Sequence, residues 1–290
     1  MKRWKRLSLM LTIFLVACAS RESEINNNEG FALYQEGKLE EAIEKYQKAI
    51  ELNPKFAIAY NNLCPALASQ GKLEEAIAQC QKAIELDPKL AMAYNNLGFA
   101  LASQSKFPEA TEQYQKAIQL DSQLVEPYNN LCQALVSQGK SEEAIAQCQK
   151  AIELDPKLAL AYNNLGSALA GQGKFPEAIE QYQKAIELDP KLAQPYNNLC
   201  QALASQEKFP EAIEQCRKAI ELNPKLATAY NNMGVALSGQ GRFQEAITEY
   251  QKSLNLDPNQ AIVQQNLEKT FQLLSYQLMQ QQLIQQQLSR

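Results

Sequence analysis

The chain holds seven cysteines and no histidine. Without an imidazole it cannot run a Ser–His or Cys–His nucleophile, nor hold zinc through histidine. No two cysteines stand in a Cys-x-x-Cys spacing, so neither a redox dithiol nor a zinc site is supported. No cofactor or metal is expected, and no side-chain constellation for catalysis is present. Beyond Cys18 the cysteines fall into two columns. One reads Gly30, Cys64, Gly98, Cys132, Gly166, Cys200, Gly234. The other, 16 residues later, reads Tyr46, Cys80, Tyr114, Cys148, Tyr182, Cys216, Tyr250. The columns switch together: glycine is met by tyrosine, cysteine by cysteine. Asparagine supplies the second pattern, with Asn61, Asn95, Asn129, Asn163, Asn197 and Asn231 in one row. Asn62, Asn96, Asn130, Asn164, Asn198 and Asn232 follow in the next. A primary amide offers both donors and acceptors, and so matches a peptide group without reading its side chain.

These columns recur because the whole sequence recurs. Tyr60, Tyr94, Tyr128, Tyr162, Tyr196 and Tyr230 return every 34 residues, each opening Tyr-Asn-Asn. Ala42, Ala76, Ala110, Ala144, Ala178, Ala212 and Ala246 keep the same step. So do Pro54, Pro88, Pro156, Pro190, Pro224 and Pro258, with Ser122 in the one gap. Within a unit, Tyr60, Leu63, Cys64 and Leu67 stand at i, i+3, i+4 and i+7, which predicts a helix over 57–70. Gly71-Lys72 breaks it, and a second helix over 74–86 puts Ala76, Ile77, Cys80, Ala83 and Ile84 inward. Asp87 is expected to cap the next helix, with Pro88 in its first turn. Pro108, Pro176 and Pro210 take that place in second helices. Pro65 lies inside a predicted helix, where proline costs about 3 kcal/mol, so a kink or frayed turn is expected there.

A fixed 34-residue period with this punctuation resembles the tetratricopeptide repeat. The resemblance covers seven units: 23–56, 57–90, 91–124, 125–158, 159–192, 193–226 and 227–260. It implies an all-α fold, a right-handed α-solenoid superhelix of seven helix-turn-helix repeats. Each hairpin leaves an apolar face that only its neighbour can cover. Both ends are modified accordingly. The first unit has Asn26 in the tyrosine column and a polar Asn26-Asn27-Asn28 face. Residues 261–290 keep Asn266, Leu267 and Phe271 in register, then turn glutamine-rich, as a C-terminal capping helix. Its tail, Leu278–Leu288, is alternatively a self-association or partner helix.

The N-terminus is of another kind. Lys2, Arg3, Lys5 and Arg6 precede an apolar run from Leu7 to Ala17 broken only by Ser8 and Thr12. This is the layout of a secretory signal, and it is shorter than the roughly 20 residues of a membrane span. The order Leu15-Val16-Ala17-Cys18 resembles the lipobox of bacterial lipoproteins. That resemblance implies a signal peptide over 1–17, a lipidated Cys18 as first mature residue and a short linker over 18–22. Ordinary cleavage after Ala19 is the competing reading. Ala19, rather than Asp, after the cysteine tilts the expectation to an outer membrane, facing the periplasm. With the four basic residues of the leader removed, 24 basic residues face 32 acidic ones, a balance of −8. Nucleic acid is therefore not an expected partner.

With Cys18 assigned, six cysteines remain. The two columns lie symmetrically about the turn, so an antiparallel hairpin sets them opposite, and exported chains keep disulfides. Cys64–Cys80, Cys132–Cys148 and Cys200–Cys216 are the expected bridges, with buried free thiols as the alternative. Tetratricopeptide arrays bind along the concave surface of their first helices. Here 57–70, 91–104, 159–172, 193–206 and 227–240 carry no charged residue, and 125–138 carries only Glu126. The family's carboxylate-clamp pattern of Lys and Arg is missing. The expectation is a membrane-tethered interaction scaffold of the bacterial envelope, binding a protein or extended peptide through asparagines. One row is expected to bind and the other to be structural. The second expectation is a self-assembling envelope component that associates through the glutamine-rich helix.

Overall fold

The structure, a computed structural model, describes the backbone of residues 2–289 and the side chains of residues 18–289. The basic cluster and Leu15-Val16-Ala17 therefore lie outside the described side chains. The chain divides into two compact units, Met1–Gln138 and Gly139–Arg290. All regular elements among the described residues are helices.

In the first unit these are α1 (Lys2–Gln35), α2 (Leu39–Leu52), α3 (Ala57–Ser69), α4 (Leu73–Leu86), α5 (Ala91–Ser103), α6 (Phe107–Leu120) and α7 (Val125–Ser137). First helices α1, α3, α5 and α7 touch one another in order, and α2, α4 and α6 each pack between two of them. The second unit holds α8 (Ser141–Leu154), α9 (Ala159–Gly171), α10 (Phe175–Leu188), α11 (Ala193–Ser205), α12 (Phe209–Leu222), α13 (Ala227–Gly239), α14 (Phe243–Leu256) and α15 (Ala261–Leu288). There α9, α11, α13 and α15 form the row of first helices, backed by α10, α12 and α14. The alanine column from Ala42 to Ala246 is fully buried, and this is what lets paired helices approach closely.

The helical hairpins turn at a residue with positive φ. Gly71 supplies it at +79°, whereas Ser105 and Glu207 adopt +61° and +59° in the same place. A side chain there is strained by about 1 kcal/mol, so the surrounding helices hold these turns. The connection to the next hairpin differs from the expectation. Asp87 ends α4 instead of capping α5, and its Oδ1 accepts the Lys89 N–H at 3.0 Å. Pro88 sits in this turn, and α5 begins at Ala91. An Asx turn competes with capping because its acceptor reaches an N–H only two residues on. Asp155 and Asp189 do the same. The periodic tyrosine then closes the loop: Tyr60, Tyr94 and Tyr162 donate to the carbonyls of Pro54, Pro88 and Pro156 at 3.2–3.3 Å. Tyrosine and proline share a period because they are partners in one contact.

Two further expectations are modified. Helix α3 runs through Pro65 to Ser69 without an early end. Proline leaves the Asn61 carbonyl without its helical donor, and the Asn96 side-chain amide reaches that oxygen at 3.3 Å. The segment 18–22, read as a linker, lies within α1, since it contains neither glycine nor proline to stop a helix.

Glycine against tyrosine is confirmed as close packing. A Cβ at Gly98 would stand 2.6 Å from the Tyr114 ring, and at Gly166 equally close to Tyr182. Burial pushes the phenols of Tyr46 and Tyr250 up to about 12, and those of Tyr114 and Tyr182 up as well. A raised tyrosine pKa stabilises the fold fully below the ordinary value of 10.0, and the stability is lost as pH climbs through about 12. Alkaline titration should therefore show helical ellipticity collapsing together with the last rise in phenolate absorbance. Helix that survives complete tyrosine ionisation would contradict this packing.

Candidate binding surface

The Tyr-Asn-Asn string sits in the first turns of each first helix, so successive asparagine pairs come side by side as hairpins stack. Their amides join into a directed chain within each unit. In the first unit Asn129 donates to Asn130 (3.5 Å), Asn130 to Asn95 (3.0 Å), Asn95 to Asn96 (3.2 Å) and Asn96 to Asn61 (3.0 Å). Asn61 then donates to Asn62 (3.1 Å), Asn62 to Asn27 (3.0 Å) and Asn27 to Asn28 (3.4 Å). In the second unit the order is Asn266 to Asn231 (3.1 Å), Asn231 to Asn232 (3.4 Å) and Asn232 to Asn197 (3.0 Å). It continues through Asn197 to Asn198 (3.4 Å), Asn198 to Asn163 (2.9 Å) and Asn163 to Asn164 (3.3 Å).

Both rows thus take part in stacking. They differ in exposure. Asn61, Asn95, Asn129, Asn163 and Asn197 are buried, while Asn62, Asn96, Asn130 and Asn198 are half-buried. Asn231 in the first row is half-buried, and Asn164 and Asn232 in the second are buried. Asn27, Asn28 and Asn266 also belong to the ladder, although sequence reasoning assigned them only to the ends. Their signal was available: they stand at the row positions of the first unit and of α15. Replacing Asn95 with alanine should cost roughly 1–3 kcal/mol, because it strands the amides of Asn130 and Asn96. Chemical denaturation of Asn95→Ala against wild type measures this, and no loss would remove the ladder from the stability account.

The cysteine columns meet as the hairpin geometry requires. The sulfurs of Cys64 and Cys80 are bonded at 1.99 Å, with Cα atoms 5.5 Å apart. Cys200 and Cys216 are bonded likewise, with Cα atoms 5.3 Å apart. Cys132 and Cys148 fall in different units; each is buried and disulfide-bonded. Cys18 is a free, exposed thiol.

Charge is concentrated in the turns, the second helices and the end helices α1 and α15, with pairs such as Lys82–Glu85 and Lys184–Glu187 exposed at i,i+3. The first helices α3, α5, α9, α11 and α13 carry no charge, and the first-helix face is partly apolar. Phe31, Ile58 and Phe99 are exposed on it in the first unit, and Leu160, Val235 and Ile262 in the second. A cavity of about 300 Å³ opens between α5, α6 and α7, lined by Phe99, Phe107, Tyr114, Asn130 and Gln133 among others. A second, of about 260 Å³, lies among α11, α13 and α15, beside Val235, Ile262, Asn231, Asn232 and Asn266. The sequence reading missed these apolar residues. One column, Phe31, Pro65, Phe99, Gln133, Ser167, Gln201, Val235, varies freely between nearly identical units, and that variation was the available signal.

Family models described as TPR repeat match residues 30–64, 65–105, 100–139 and 133–173. Models described as tetratricopeptide repeat match 159–192 and 191–259. The chain belongs to the tetratricopeptide-repeat family. Repeats of this family are protein-interaction modules. Comparison with curated protein sequences finds no match. Among solved structures, the chain is similar to the Cut9–Hcn1 assembly of the APC/C, with TM-score 0.77 and 20% identity over 83% of its length. It spans 48% of that longer chain. It is also similar to a tetratricopeptide repeat protein from Parabacteroides merdae, with TM-score 0.67 and 17% identity over 87% of this chain and 99% of that one. Similarity to pilF of Pseudomonas aeruginosa has TM-score 0.61 and 22% identity, over 74% of this chain and 96% of that one. At these identities the likeness is one of fold.

Proposed function

We propose that this tetratricopeptide-repeat protein is an exported, lipid-anchored scaffold of a bacterial envelope. On this reading it holds an extended, uncharged segment of a partner protein against its first helices. The neutrality of that face carries the reading: in a chain with 21% charged residues, five of its first-helix stretches carry none. The exposed apolar side chains supply contact area. The half-buried asparagines Asn62, Asn96, Asn130 and Asn198 supply peptide recognition. Each primary amide has two donors and two acceptor lone pairs, and the ladder consumes about one of each. The more deeply buried row is then the stacking element, and the second row is the binding one. Export rests on the leader over 1–17, anchoring on Cys18 and the lipobox order before it, and the outer membrane on Ala19 after it. Three within-repeat bridges, Cys132–Cys148 included, suit an oxidising compartment.

Affinity for the partner should change little between low and moderate salt. A clamp of ion pairs would weaken clearly over the same range, because mobile ions screen exposed charges. Crosslinking in isolated envelopes identifies the partner, and binding at two ionic strengths then decides. A steep salt dependence would move the site to the charged second helices.

One observation favours a second reading, self-association through the C-terminal helix. Beyond Thr270 the α15 residues Tyr276, Leu278, Met279, Leu283, Ile284 and Leu288 are all exposed. Light scattering as a function of concentration separates this from a purely monomeric scaffold.

A further inference from the structure

The fold begins almost at the anchoring cysteine. Ser23 is fully buried, and its Oγ donates to the Ala49 carbonyl at 2.8 Å. Asn27, one turn on, is buried in the asparagine ladder and accepts from Asn62. Between Cys18 and Ser23 stand only Ala19, Ser20, Arg21 and Glu22. As the helix they form, they rise about 7.5 Å, and even fully extended they reach only about 18 Å. An acylated Cys18 therefore holds the first hairpin against the headgroup layer instead of letting it swing free.

Which part of the hairpin meets that layer follows from helix pairing. Ser23 of α1 lies against Ala49 of α2, so the start of α1 and the loop 53–56 after α2 share one edge of the first unit. That loop departs from its counterparts in the same unit. Asn53 stands where Asp87 and Asp121 stand, and Phe56 where Leu90 and Leu124 stand. Beside the anchor, then, an acid is dropped and a leucine becomes an aromatic ring. Arg21 and Lys55 are exposed, and Phe56 is half-buried. Across 18–22 and 53–56 these two cations outnumber the single acid, Glu22. Glu51, the last acid of α2, is paired with Lys48 at 3.4 Å. Apolar side chains enter the boundary between headgroups and acyl chains, while lysine and arginine extend their charged heads to the phosphates. The outer side of α1 has the opposite chemistry. Glu29 occupies the column in which Leu63 and Leu97 are buried, and it pairs with Lys45 at 2.6 Å. We infer that the loop edge of the first unit, with Arg21, Lys55 and Phe56, is a membrane-contact surface. It is seated on the phospholipid layer that holds the Cys18 acyl chains. The inference rests on the lipidation reading and names the surface that the membrane covers.

The test uses the lipidated protein in vesicles of phosphatidylglycerol and brominated phosphatidylcholine, whose bromines quench nearby tryptophan. Trp4 lies in the leader, so the mature chain reports only a tryptophan that is introduced. Phe56→Trp should be quenched roughly twofold or more. Lys55→Trp, on an exposed position, should give the same result without disturbing packing. Lys72→Trp, in the turn at the far end of α3, should keep its intensity, because 13 helical residues span about 20 Å. A flexible insertion of about 20 Gly and Ser residues between Ala19 and Ser20 should leave the chain on floated vesicles yet remove most of the quenching at 56, since its reach is about 25 Å. Matching thermal melts confirm that each variant is folded. Vesicle-bound protein with no quenching at 55 or 56, or with equal quenching at 72, overturns the seating and leaves the anchor standing. Protein that fails to float with the vesicles overturns the lipidation reading and this inference together.

Discussion

Reduction should lower the melting temperature of the protein by roughly 10 °C or more without abolishing its helical signal. Each bridge closes a short loop, since bonded cysteines are 16 residues apart. Loops of this size are worth about 3 kcal/mol in the chain-entropy account. The three bridges therefore account for a large share of the stability of an ordinary domain. Helix should survive because every second unit does without them: Gly30, Gly98, Gly166 and Gly234 are packed by tyrosine rings instead. Nearest-neighbour stacking then holds the array in segments. Circular dichroism melts with and without reductant measure the shift. Non-reducing peptide mapping should recover Cys64–Cys80, Cys132–Cys148 and Cys200–Cys216 and no other pairing. Six free thiols in protein taken from its native compartment would overturn the assignment.

The anchor has the other large expected effect. Cys18→Ser should move the protein from the detergent phase to the aqueous phase, or leave the precursor uncut. Several acyl chains on one residue give stable membrane attachment where a single chain is marginal, so the change is close to all-or-none. Cys18 is exposed, as a modification site requires. Among the described residues no helix is long and apolar enough to cross a membrane. Recovery of wild type as a soluble species starting at Ser20 would reject lipidation in favour of cleavage after Ala19.

The repeat made most of this fold legible. A 34-residue step locates every hairpin, because a helix that buries one face must repeat its apolar positions wherever it repeats its neighbours. The coordinated switch of Gly–Tyr to Cys–Cys named contacts across a hairpin before any coordinates, since two columns that change together share one volume. Where several local structures compete for the same residues, sequence was a weaker guide. Asp87 has two uses open to it, as a cap for α5 or as an Asx turn, and the turn prevails. Pro65 predicts a broken turn, yet α3 continues through it, and the carbonyl it orphans is met by an amide from the next hairpin.

By itself, then, the sequence determined the helices, their pairing, the opposed cysteines and the neutrality of the first-helix face, all properties of spacing and composition within one period. Tertiary structure alone decided how the two asparagine rows are used. Their periodicity is identical, so spacing could not separate them; only stacking shows that Asn96 reaches back to Asn61 while Asn95 reaches forward to Asn96. It alone also decided what each buried tyrosine of the second-helix column meets. Tyr114 looks like Tyr182 in its own column, yet Tyr182 donates to Ser167 Oγ at 3.4 Å while Tyr114 faces a cavity lined by Phe99 and Ala134, which lie on other helices. Hydrogen-bond satisfaction is a property of what packs around a group, and the chain brings those neighbours together only when it folds.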